Sequence, residues 1–189
     1  MNIKYLTQAW LVLALAICFA AALAGVQIAL ADKIDANKFD ETMGQIPRLV
    51  PGSTGGEQFQ IDGRIVYRAV NADGEHVGWV VPGSGQGFAD AIELLIGLDA
   101  GAEVITGLYV LDQKETPGLG SKIAEADFQN RFKGKQTAAR LSVTKTEPAA
   151  DDEIPAITGA TVSSQSVTRI VNDTLAKWKG KLAYPANED

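Results

Sequence analysis

The sequence predicts an α+β domain, with helices packed on a largely antiparallel sheet, carried behind one membrane-spanning helix. Three observations lead there. Residues 5–31 form a run of 27 without a charge, and a helix needs about 20 to cross a bilayer core. Strand-like segments then follow one another through residues 64–111 before any strong helical pattern, as in strands joined to antiparallel neighbours by short turns. Finally, Val167, Ile170, Val171, Thr174, Leu175, Trp178 and Leu182 recur at three- and four-residue spacings, the stripe of an amphipathic helix.

Taken in order, residues 1–4 are expected to be a short cytoplasmic N-terminus and residues 5–31 the anchor. Ala29-Leu30-Ala31 also fits the small-x-small pattern of signal-peptide cleavage, but the apolar run exceeds the usual signal-peptide core of about 7–15 residues, which favours a retained span. Lys4 and the N-terminal amine stand against Lys33 and Lys38, diluted by Asp32, Asp35 and Asp40, which favours an N-inside orientation. Residues 32–57 read as a stalk: 33–43 are polar and helix-compatible, and Pro47, Pro51, Gly52, Gly55 and Gly56 interrupt regular structure. The domain is expected over residues 58–189.

Within it, RIVYRAV (Arg64–Val70) and HVGWVV (76–81) flank Asn71-Ala72-Asp73-Gly74 as a hairpin. Pro82-Gly83-Ser84-Gly85-Gln86-Gly87 reads as a glycine-rich loop; AIELLIGL (91–98) and VITGLYVL (104–111) follow as strands around a turn at residues 99–101. A helix is expected from Ser121 with Ile123, Phe128 and Phe132 inward, and a fifth strand over residues 139–143.

Composition excludes several functions. The chain has 189 residues, 46% hydrophobic and 21% charged, so it is neither a disordered polyelectrolyte nor a multi-span membrane protein. A net charge of −6 offers nucleic-acid phosphates no broad basic surface, and no nucleic-acid partner is expected. Cys18 is the single cysteine and lies in the apolar run, which excludes a disulfide framework, a CxxC redox pair and a cysteine-held cluster. His76 is the only histidine and sits in the hairpin, so no metal site and no nucleophile–base pair is expected. Trp79 and Trp178 fall at core positions, and Trp10 suits an interfacial anchor. Lys133, Lys135, Arg140 and Lys145 read as a solvated face or a docking patch.

The segment richest in chemistry is Ile157-Thr158-Gly159-Ala160-Thr161-Val162-Ser163-Ser164, at the mouth of the last helix. Two readings fit. Thr161, Ser163 or Ser164 could cap the first amides while Gly159 turns the chain; or the free amides and positive dipole end could hold a phosphate, completed by hydroxyls. Glu115-Thr116-Pro117-Gly118-Leu119-Gly120 reads as a turn, yet a turn alone does not call for Glu115, Leu119 and a second glycine. The loop with Gly83, Gly85, Gly87 and Phe88 is no dinucleotide fingerprint, because a strand follows it where a helix should open.

Together these segments resemble the covalent FMN-binding domain shared by the G subunit of the Rnf electron-transport complex and the C subunit of the sodium-translocating NADH:quinone reductase. Thr158-Gly159-Ala160-Thr161 matches the family's [ST]-G-A-T, and Glu115 through Gly120 matches its second signature in the same order after an anchor and a sheet. The resemblance implies FMN joined as a phosphoester to the hydroxyl of Thr161, installed by a separate flavin transferase with FAD as donor. It implies phosphate or ribityl contacts from Thr158, Gly159, Ala160, Ser163 and Ser164, and a loop of Glu115, Thr116, Gly118 and Leu119 against the flavin ring. The family commonly has Asp three residues before its first Ser/Thr, where this chain has Pro155. It further implies an electron-carrying subunit among other membrane subunits, with residues 32–189 on the extracytoplasmic face of the cell membrane. A non-flavinylated scaffold or sensor, and an extracytoplasmic flavin reductase, are the competing functions.

Overall fold

The computed structural model describes residues 3–182, with side chains described from residue 9 onward, so the expected N-terminus at 1–4, with the side chain of Lys4, falls largely outside. The chain divides into two compact units, Met1–Glu41 and Thr42–Asp189. The first is the body of helix α1 (Ile3–Leu49), which is long and apolar enough to cross a membrane. Its large apolar side chains, among them Trp10, Leu13, Phe19, Leu23 and Ile28, are exposed, as a lipid-facing helix requires.

The second unit begins at Thr42, earlier than the start expected at residue 58. Two parts of the expected stalk belong to it. Helix α1 runs through Pro47 to Leu49, because a proline so near the end forfeits only one late hydrogen bond and the final carbonyls find other donors. Ser53 Oγ donates to Ile46 O at 3.3 Å and to Val50 O at 2.7 Å, and Thr106 Oγ1 donates to Leu49 O at 2.6 Å. Strand β1 (Gly55–Ile61) then pairs with β2 (Arg64–Val70) through Asp62 and Gly63, both at positive φ, as a two-residue hairpin turn demands.

The sheet continues in chain order as an antiparallel meander, β1-β2-β3-β4-β5, with β3 His76–Gln86, β4 Ala91–Asp99 and β5 Ile105–Asp112. Its turns are locked by short polar side chains: Asn71 Oδ1 accepts from the amides of Asp73 and Glu75, and Asp99 Oδ1 from those of Glu103 and Val104. Of the expected glycine-rich loop at residues 82–87, residues 82–86 are instead the second half of β3, paired with β4 from Pro82↔Leu95 to Gln86↔Ala91, and Gly87 opens the turn. Packing supplies the reason. A β-carbon on Gly83 would collide with Thr174, and one on Gly85 would lie 2.8 Å from Ile170, so the glycines let a helix lie directly on the strand.

That helix is α3 (Thr161–Trp178), and it buries the predicted stripe of Val167, Ile170, Val171, Thr174, Leu175 and Trp178. With Ile123, Phe128 and Phe132 it covers Val66, Trp79, Val81, Leu94 and Ile96 on one face of the sheet. The opposite face packs Tyr67, Ala69, Val80 and Leu95 against Ile46, Leu49 and Val50. β4 is buried on both faces, so its sequence reads as a nearly continuous apolar run. The helix expected from Ser121 is broken into two 3-10 turns, Gly120–Ala124 and Asn130–Phe132, around the single turn α2 (Ala126–Gln129). The strand expected at 139–143 is β6 (Ser142–Thr144), which pairs in parallel with β7 (Glu153–Pro155) outside the main sheet. Asn172 on α3 holds it, exchanging hydrogen bonds with both backbone groups of Leu141 at 2.9 and 2.8 Å.

Candidate functional site

Three segments far apart in sequence meet beside the opening of α3: the β3–β4 turn at residues 87–90, the loop 115–120 and the turn 157–161. The last is closed by the Ala160 amide donating to Ile157 O at 2.9 Å, with Gly159 at φ +82°. Ala160 is the N-cap of α3 and makes no side-chain cap bond. The capping alternative therefore does not describe this helix, whose opening amides stand against no side chain.

The hydroxyls divide into two sets. Ser164, fully buried, donates from Oγ to Ala160 O at 3.0 Å and accepts the Ile157 amide at 3.0 Å, stapling the turn to the helix. Ser163, also buried, donates to Glu115 Oε2 at 2.6 Å. Thr161 is half-buried and Thr158 exposed, and neither takes part in the bonds that occupy the two serines. Of the candidate threonines, Thr116 and Thr158 are thus exposed and Thr161 half-buried.

In the 115–120 loop, Thr116 O accepts the amides of Leu119 at 3.2 Å and Ser121 at 3.1 Å, and Ser121 Oγ accepts the Gly118 amide at 3.0 Å. Gly118 has φ +73°, which a β-carbon would strain. Leu119 remains 47% exposed and reaches Gly159: a β-carbon there would stand 3.2 Å from Leu119 Cδ2. The candidate residues at 116–119 and at 158–161 are thus neighbours.

Glu115 stands at the head of this loop. Its side chain is buried, and Oε1 accepts the amides of Phe88 at 2.8 Å and Ala89 at 3.1 Å while Oε2 takes the Ser163 hydroxyl. Sequence reasoning left the partners of Glu115 unassigned, since they lie 26, 27 and 48 residues away. Nearby, the Ala91 amide and the Lys114 ammonium, 3.4 Å from Asp90, hold the Asp90 carboxyl below the usual carboxylate range. Pro155, in place of the family's common Asp, lies in β7, where its carbonyl accepts from Arg131 at 2.6 Å.

The surface around Thr161 is apolar as well as polar: Phe88 is 64% exposed and Val162 50%, with Leu119 beside them. Among the described residues, no group of His, Cys, Asp and Glu could hold a metal ion. Lys135, counted among the solvated cations, instead ties the 151–153 loop through Nζ to Asp151 O at 2.5 Å and Glu153 O at 3.3 Å. Uncapped amides and a free threonine hydroxyl suit an anionic phosphate, and exposed apolar side chains, one of them aromatic, suit a flat ring system, so the residues present fit a flavin mononucleotide.

Comparison with known proteins agrees. Residues 87–176 match the family described as the FMN-binding domain. The chain is 41% identical over 103 residues to the G subunit of the Na(+)-translocating ferredoxin:NAD(+) oxidoreductase complex of Acetobacterium woodii, covering 53% of this chain and 49% of that one. It is 37% identical over 115 residues to the G subunit of the ion-translocating oxidoreductase complex of Methanosarcina acetivorans, covering 59% and 58%. The chain thus spans between about half and three-fifths of the length of these relatives. The crystal structure of the C subunit of the Na(+)-translocating NADH-quinone reductase from Parabacteroides distasonis superposes with a TM-score of 0.56 at 28% identity, covering 65% of this chain and 64% of that one. Residues 87–176, just under half of this chain, are therefore similar to the FMN-binding domain family.

Proposed function

We propose that this protein is a membrane-anchored electron carrier whose FMN is esterified through its phosphate to Thr161, acting inside an Rnf-type oxidoreductase complex that couples electron transfer to ion translocation. One observation supports the covalent link: at the uncapped mouth of α3 the Ser163 and Ser164 hydroxyls are consumed inside the protein, while half-buried Thr161 takes no part in those bonds. A flavin transferase using FAD would join Thr161 Oγ1 to the FMN phosphorus as the pyrophosphate bond breaks; AMP leaves and the hydroxyl proton passes to solvent. The resulting phosphodiester keeps one negative charge, which the amides and dipole end of α3 stabilise. Thr158, Gly159 and Ala160 shape the phosphate turn, Ser163 and Ser164 hold it from beneath, and Thr116, Gly118 and Leu119 border the ring.

When bound, FMN supplies the one- and two-electron chemistry; the protein holds it, shields one side of it and leaves the rest reachable. The chain carries no dinucleotide fingerprint and no charge over residues 5–31, so nicotinamide oxidation and the ion path fall to other subunits. Helix α1 spans the bilayer, and the proposed placement of residues 32–189 is extracytoplasmic.

The test is intact mass after co-expression with a flavin transferase, together with flavin fluorescence of the denatured chain in a gel. One FMN per chain is expected, lost in Thr161→Ala and partly kept in Thr161→Ser. An unmodified wild-type chain would favour the scaffold reading, and a modified Thr161→Ala would move the attachment site. Alkaline phosphatase fused at the C-terminus is expected to be active, and an inactive fusion would place the domain in the cytoplasm.

A further inference from the structure

We infer that Glu115 is the positioning residue of the flavin site: a buried carboxylate that sets the Thr161 turn against the two loops beside it without itself touching the cofactor. The inference rests on the flavin reading above and assigns Glu115 a role beneath the ligand.

The geometry is that of a three-way tie. Oε1 binds the Phe88 and Ala89 amides, on the segment that presents Phe88; Oε2 binds the Ser163 hydroxyl, two residues along α3 from Thr161. The backbone of Glu115 leads directly into the loop that presents Leu119, and its own amide donates to Gln113 Oε1 at 2.7 Å. One side chain is therefore bonded to, or continuous with, each of the three segments that expose Phe88, Leu119 and Thr161. A buried carboxylate accepts hydrogen bonds only, so two amides and a hydroxyl are the partners it needs to be tolerated away from water.

The glycines beside it support the same inference. A β-carbon on Gly120 would lie 2.8 Å from Glu115 Oε2 and 2.8 Å from Ser163 Oγ, and one on Gly87 would collide with Glu115 Oε1. Both glycines make room for this carboxylate, which accounts for the second glycine of the loop signature. Because the contacts are short and the surroundings closed, removal of the carboxylate frees three segments at once. Charge-assisted bonds of this kind are stronger than neutral ones and hold geometry accordingly.

The experiment uses the full chain in detergent, made with and without a flavin transferase. Variants are Glu115→Ala, Glu115→Gln, Ser163→Ala and, as a core control on the opposite face of the sheet, Ile46→Ala. In the flavin-free chain, Glu115→Ala is expected to speed amide hydrogen exchange at Phe88 and Ala89 at least tenfold while Leu94 and Leu95 stay protected. Glu115→Gln keeps an oxygen for those amides and is expected to retain most of their protection. In the flavin-loaded chain, Glu115→Ala and Ser163→Ala are expected to shift the flavin midpoint potential, and Ile46→Ala to leave it unchanged at an equal or larger loss of Tm. Unchanged exchange at Phe88 and Ala89 would overturn the proposal. So would potentials that move no further than in the core control. Should Glu115→Ala fail to fold, Ser163→Ala, which leaves both amide bonds intact, decides the potential. If the wild type takes up no flavin the function proposed above fails, while the exchange measurement still decides whether Glu115 ties the loops.

Discussion

On one face of the sheet, the end of α1 lies so close that a β-carbon at Gly97 would sit 2.5 Å from Leu49 O and one at Gly107 would sit 3.0 Å from the same atom; Gly56 and Gly78 are filled in the same way by Ile46 and Val50. On the other, where the β3–β4 turn meets α3, Gly118 adopts φ +73° beside open space, and Phe88, Leu119 and Val162 are left uncovered. The first region uses glycine to remove volume, so that backbone packs on backbone and nothing else can enter. The second uses Gly118 to bend the chain and Gly87 and Gly120 to admit the Glu115 carboxylate, and leaves apolar surface for a ligand to cover. Stability and binding are thereby separated in space, and substitutions in the two regions should be read out by different measurements.

The largest effect is expected where the packing is closed. Ile46→Ala removes a fully buried side chain and should cost about 3 kcal/mol, the usual range for such a cavity, lowering Tm by roughly 9 °C while leaving the flavin spectrum unchanged. Next comes a matched pair of glycines. Gly97→Ala forces a β-carbon against Leu49 O and to within 2.9 Å of Thr106 Oγ1 and should cost about 2 kcal/mol, whereas Gly118→Ala meets only the strain of positive φ and should cost about 1 kcal/mol. Equal losses in chemical denaturation would break the distinction between the two regions.

Smaller in stability and larger in function, Leu119→Asp should change the unfolding free energy by less than about 0.5 kcal/mol, since the side chain is largely exposed. It should nevertheless shift the flavin potential or spectrum and leave covalent attachment in place. An unchanged spectrum and potential would remove the loop from the site.

The smallest effect lies away from both regions. Burial beside Trp79, whose ring centroid is 4.6 Å away, pushes the His76 imidazole below its ordinary 6.5, against the opposing hydrogen bond that its ring donates to Ala100 O. The unfolded chain then takes up a proton at pH values where the folded one does not, so this contribution to stability is complete above about pH 6.5 and declines as pH falls through the interval below it. His76→Gln should flatten the fall in Tm between about pH 6.5 and 5, and an unchanged slope would assign the acid sensitivity to carboxylates.

The hairpin at residues 64–81, the strands at 91–98 and 104–111, and the stripe of α3 were legible because each depends on local periodicity and turn residues that neighbours within a few positions settle. The β1–β2 hairpin was missed, although Asp62-Gly63 between GlnPheGlnIle and ArgIleValTyr is a strong hairpin signal, because the prolines and glycines just before it read as a stalk. The site was half legible. Thr158-Gly159-Ala160-Thr161 and the Thr116–Leu119 turn announce themselves by residue type and lie side by side, but their spacing in sequence says nothing about that adjacency.

From sequence alone follow the apolar span of α1, the antiparallel character of the sheet, the amphipathic last helix and the hydroxyl-rich turn before it, because periodicity, charge and turn chemistry act over a few residues. Tertiary structure alone decided that residues 82–86 are a strand under α3, that Pro47 stays inside a helix seated on glycines, and that the Ser163 and Ser164 hydroxyls are spent on internal bonds that Thr161 does not share. Each of these turns on a contact between atoms dozens of residues apart, such as Gly83 with Thr174 or Glu115 with Ser163, and the cost of a β-carbon or an unpaired hydroxyl there depends on what the folded chain brings opposite it.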